Sequence, residues 1–79
     1  MKDIALTKHA KTIIELRGLS EKILVNSVKK PDMILPAKEG KHAYLKNLGK
    51  NYLKIIVSEE KDALVVITAY WIAKERIKR

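Results

Sequence analysis

Seventy-nine residues with 47% hydrophobic content, three glycines and two prolines describe one small packed domain, 1–79, not a disordered or collagen-like chain. No uncharged apolar run approaches the ~20 residues of a membrane span, and Met1 to Lys8 lacks the apolar stretch of a secretory signal. Without cysteine there are neither disulfides nor thiolate metal sites, so a cytoplasmic setting is the expectation. Seventeen basic against nine acidic residues leave a net charge of +8, spread along the chain. That load suits an anionic partner such as nucleic acid, and it equally suits mere solubility.

Asp3 to Thr7, with β-branched Ile4 and Thr7 around an apolar centre, reads as an edge strand or an extended lead-in. Thr7 is a good N-cap for a helix reaching Arg17, where Gly18 supplies a left-handed stop. Successive steps of 100° put Ala10, Ile13, Ile14 and Arg17 on one arc, so an arginine sits inside the apolar stripe. Ser20 caps a second helix from Glu21 to Lys30, ended by Pro31, with Ile23, Leu24 and Val28 on one face. From Met33 the period changes to two. Met33 to Ala37, His42 to Leu48, Tyr52 to Ser58 and Ala63 to Trp71 read as strands joined by the turns Lys38 to Lys41, Gly49 to Asn51 and Glu59 to Asp62. Ile72 to Arg79 has helical composition.

The expected fold is α+β: two short N-terminal helices packed on one face of a four- to five-stranded, mainly antiparallel sheet, in the order β-α-α-β-β-β-β with a C-terminal helical turn. Alternation assigns Leu53, Ile55, Val57, Ala63, Val65, Ile67 and Ala69 to the helix side, with Trp71 in the core. The other side then holds His42, Tyr44 and Lys46, with Tyr52, Lys54, Ile56, Leu64, Val66, Thr68 and Tyr70. Such a mixture of cations and phenols is what a nucleic-acid surface needs, and it is also what keeps an exposed sheet dissolved.

The two histidines are far apart with no ligand partner at helical or strand spacing, and the glycines are isolated, so neither a metal centre nor a phosphate loop is expected, and no cofactor. Metal-free RNA cleavage needs a base for the ribose 2′-hydroxyl, cations on the phosphate and an acid for the leaving oxygen. His9, Arg17, His42, Lys46, Lys54 and Tyr70 are residue types fit for these roles. Tyr44, Tyr52 and Tyr70 are rings that can stack unpaired bases, with Lys46 and Lys54 on phosphates.

The pieces Thr7-Lys8-His9-Ala10, Glu15-Leu16-Arg17-Gly18-Leu19-Ser20, Lys30-Pro31-Asp32 and Val65-Val66-Ile67-Thr68-Ala69-Tyr70 together resemble the domain-of-unknown-function family 4258. Such sequences are similar in layout to compact toxins of the RelE/ParE type, which include RNA-cleaving and gyrase-inhibiting members. The resemblance implies a toxin-like or ribonuclease-like protein with His9, Arg17, Thr68 and Tyr70 as catalytic candidates. It departs at Ile13, where members commonly have a second arginine; if that arginine belongs to the site, this chain is a divergent or inactive relative. RNA or another nucleic acid is one expected partner, with or without cleavage. An acidic antitoxin-like peptide laid on the sheet and a second copy of the chain are the others.

Overall fold

The computed structural model describes residues 3–73. In chain order they form β1 (Asp3–Leu6), α1 (Lys8–Leu16), α2 (Glu21–Lys29), β2 (Met33–Pro36), a 3₁₀ turn (Lys38–Gly40), β3 (His42–Asn47), β4 (Asn51–Glu59) and β5 (Ala63–Ala73). The sheet order is β1-β5-β4-β3-β2, antiparallel except for the parallel β1–β5 pair. This is the α+β arrangement expected of the sequence. The last strand runs on through Trp71 to Ala73, where a helical turn was expected; the rest of that expected turn lies outside the described residues.

The helices start and stop for the anticipated reasons. Thr7 Oγ1 accepts from the Ala10 amide and Ser20 Oγ from that of Ile23, each satisfying an amide the helix leaves without an internal partner. Gly18, at φ 63°, turns the chain between the helices; a side chain would be strained there. Pro31, which lacks an N–H, follows the end of α2.

Each helix buries one stripe. Ala10 and Ile14 of α1, Leu19, and Leu24 and Val28 of α2 close over Leu53, Ile55 and Val57 of β4 and over Tyr44, Val66 and Ala69, with Ile4, Leu6 and Leu64 at the margin. Ser27, also buried, gives its hydroxyl proton to the Ile23 carbonyl at 2.7 Å, so its burial leaves no unmet donor.

Two details of register correct the expected faces. Leu48 donates its amide to the Asn51 carbonyl at 3.0 Å, so the turn is Gly49-Lys50 alone; Asn47 then pairs with Tyr52, Tyr44 stands opposite Ile55 and Lys46 opposite Leu53. The expected three-residue turn, Gly49 to Asn51, would have matched even positions with even. With two, His42, Tyr44 and Lys46 turn to the helices while Ala43 and Leu45 turn away, as a one-residue slip requires. Between β4 and β5, Ile55 pairs with Ala69 but Val57 pairs with Val66, so Ile67 is the extra residue of a bulge. Beyond the bulge the expected faces hold: Ala69 is in the core, and Thr68 and Tyr70 are on the far side with Ile56 and Lys54. Before it they are exchanged, because Leu64 and Val66 pack toward the helices and Ala63 and Val65 do not. Trp71, opposite Leu53, is 41% exposed and not a core residue.

Candidate nucleic-acid interface

β1 pairs only with Ala63 to Val66 of β5. Where it stops, Thr7 donates its amide to the Val66 carbonyl and its hydroxyl to the Ile67 carbonyl, tying the start of α1 to the bulge. α1 then continues in contact with β5, beside the stretch that β1 leaves unpaired. This delivers Arg17, at the C-cap of α1, to the ring of Tyr70, with the guanidinium carbon 6.0 Å from the ring centroid.

Tyr70 stands directly opposite Lys54 in the β4–β5 ladder, and Lys54 Nζ lies 5.5 Å from the same centroid. One phenol thus holds two cations within cation–π range, an interaction of about 0.5–1 kcal/mol each at exposed sites. Among the described residues no carboxylate lies within ion-pair distance of Arg17 or Lys54. Two cations thus converge on one ring that ends in a hydroxyl, a grouping of residue types able to meet an anion.

The other sequence candidates fall at graded distances. Thr68 shares the far face with Tyr70, one pleat away, or ~7 Å along the strand. His9 is exposed in the first turn of α1, on the stripe of Ile13 and Arg17 but ~12 Å from Arg17 along the helix axis. Thus Arg17, Tyr70 and Lys54 meet, Thr68 flanks them, and His9 is not in the cluster. Tyr52 lies on the Lys54 side of β4, two residues away.

Tyr44 and Lys46 are elsewhere. Tyr44, 9% exposed, is part of the core under the helices, so its ring has no free face for a base. Lys46 Nζ donates at 2.9 Å to the Lys30 carbonyl that ends α2 and sits 4.0 Å from Asp32, whose carboxylate accepts the Asn47 amide at 2.7 Å. Lys46 is a clamp between α2 and β3. Like charge and like spacing hid the difference between Lys46 and Lys54 in the sequence.

Sequence reasoning also missed a cleft of about 400 Å³ beside the cluster. Leu35 to Ala37, Lys38, Glu39 and Lys41 arch over Ala43, Ile56, Lys54 and Tyr70. Its signal was present in the odd apolar positions Met33, Leu35, Ala43 and Leu45, which pair across β2 and β3. Glu39, at φ 57°, is held in the arch by its contact with Lys41 at 3.3 Å.

Among the described residues no group of three or more His, Asp or Glu could hold a metal ion, and no helix is long and apolar enough to cross a membrane. Two helices on a five-stranded sheet, with a cationic and phenolic group around Tyr70, define a small basic α+β domain. The chain belongs to the family described as "Domain of unknown function (DUF4258)", which matches residues 6–71 and so spans both helices and nearly all of the sheet. No curated protein and no solved structure matches it.

Proposed function

We propose that the protein is a small cytosolic, RelE/ParE-like ribonuclease of the toxin type, binding RNA at Arg17, Lys54 and Tyr70 and cleaving it without a metal. The observation behind this reading is the convergence of two uncompensated cations on the Tyr70 ring. In the reaction the ribose 2′-oxygen bonds to the adjacent phosphorus as the bond from phosphorus to the 5′-oxygen breaks. The 2′-hydroxyl passes its proton to solvent water and the departing 5′-oxygen takes one from the Tyr70 hydroxyl, which water then reprotonates, leaving a 2′,3′-cyclic phosphate and a 5′-hydroxyl. Arg17 and Lys54 would stabilise the charge building on the phosphoryl oxygens, and the Tyr70 hydroxyl is the proton-carrying group beside them.

The test is incubation of the purified protein with mixed RNA in EDTA, scoring cyclic-phosphate ends. Wild type should cleave, and Arg17→Ala or Tyr70→Phe should each lower the rate by roughly 10²-fold or more. Equal cleavage by wild type and Tyr70→Phe would remove the enzymatic reading.

A second reading has its own support, because His9 stands two helical turns from the cluster and Ile13 lies between. On that reading the same residues bind RNA phosphates without cutting. Affinity would then fall steeply with salt while no product forms.

A further inference from the structure

We infer that the cleft beneath the Leu35–Lys41 arch is a slot for one unpaired nucleobase, so that the site takes single-stranded RNA and rejects duplex. This rests on the proposed RNA reading and specifies its substrate. Lys54 and Tyr70 belong both to the cleft lining and to the cluster with Arg17, so an occupant of one is covalently within reach of the other. Of the remaining lining, Leu35, Pro36, Ala37, Ala43 and Ile56 are apolar, which suits the face of a base and not a second phosphate.

Charge around the slot points the same way. Lys38, Lys41 and Lys54 line it against the single acid Glu39, which is paired with Lys41. An apolar slot edged by cations matches a nucleotide: flat and apolar at the base, anionic at its ends. The volume is near the lower end of the ~300–1,000 Å³ usual for small-molecule clefts and has room for one base and its sugar. A base in a duplex reaches such a slot only after unpairing and unstacking, which costs a few kcal/mol.

The experiment measures fluorescence anisotropy at fixed low salt with a labelled ten-nucleotide RNA, its abasic counterpart and its duplex. Wild type should bind the intact single strand about tenfold more tightly than either of the others. Leu35→Ser, which alters an exposed wall of the slot, should erase most of that preference while leaving abasic binding unchanged. Lys54→Met should weaken all three ligands. As a second readout, a mononucleotide should shift the methyl resonances of Leu35 and Ile56, and inorganic phosphate should not. Equal affinity for intact and abasic strands, with Lys54 still required, would overturn the slot and leave the phosphate site standing. Failure to bind any strand would overturn both, and binding of an acidic peptide in place of RNA, lost in Leu35→Ser, would assign the slot to a protein partner.

Discussion

Lys46 and Lys54 form a matched pair for experiment, since each is a strand lysine and replacing either by methionine removes one positive charge. The structure gives them opposite roles. Lys46 holds the last carbonyl of α2 at 2.9 Å with its side chain 26% exposed, a charge-assisted bond that in full burial would contribute about 1.5–3 kcal/mol. Its contact with Asp32 at 4.0 Å adds little in water, so with partial solvent screening a loss of about 1–2 kcal/mol is expected. In a domain of this size each kcal/mol shifts Tm by ~4–8 °C, so Lys46→Met should melt roughly 4–16 °C below wild type. Lys54→Met gives up only the contact with the Tyr70 ring and should melt within a few degrees of wild type. RNA binding should reverse the order. The slope of log affinity against log salt should fall by roughly one for Lys54→Met and stay unchanged for Lys46→Met. Circular-dichroism melts and salt titrations on the same preparations decide the matter. If the two variants shift melting temperature and salt slope alike, the division between clamp and binding lysine is wrong.

Leu24→Ala should cost about 2–5 kcal/mol, because Leu24 is fully buried, against a net stability of about 3–5 kcal/mol for so small a core; thermal melts should show loss of the cooperative transition. Gly18→Ala should cost about 1–2 kcal/mol in urea unfolding through its positive φ alone, as nothing stands within 4 Å of the added carbon, and an unchanged midpoint would contradict that geometry. Trp71 should show red-shifted fluorescence that acrylamide quenches readily in the native state, whereas protected emission would return it to the core. A second copy pairing along the free edge of β2, where Ile34 and Leu35 are exposed, should give a dimer mass in light scattering that Ile34→Lys reduces to a monomer. A monomer for wild type at every concentration would refute it.

Element order and type could be read from the sequence because capping residues and period are local signals. Thr7 and Ser20 mark their helices, and alternation marks the strands regardless of what they touch. Which way a strand faces is decided between strands. The two-residue turn Gly49-Lys50, in place of three, and the extra Ile67 each change parity by one, and neither leaves a periodic trace. Thr68 and Tyr70 were placed correctly because they lie beyond the bulge, in register with Lys54 and Ile56. Tyr44 and Lys46 were misplaced by a single loop residue. The meeting of Arg17 with Tyr70 was unreadable for another reason: an arginine within an apolar helical stripe announces a partner but not where in the fold that partner lies.

The β1–β5 seam joins the first strand to the last, with Asp3 opposite Ala63. Chain order puts the helices and the β2–β3–β4 meander ahead of β5, which carries the apolar row of Val66 and Ala69 that they pack against. Tyr70 arrives with it. Synthesis from the N-terminus therefore supplies Arg17 and Lys54 before the ring they share, and their cluster closes only once β5 has docked between β1 and β4.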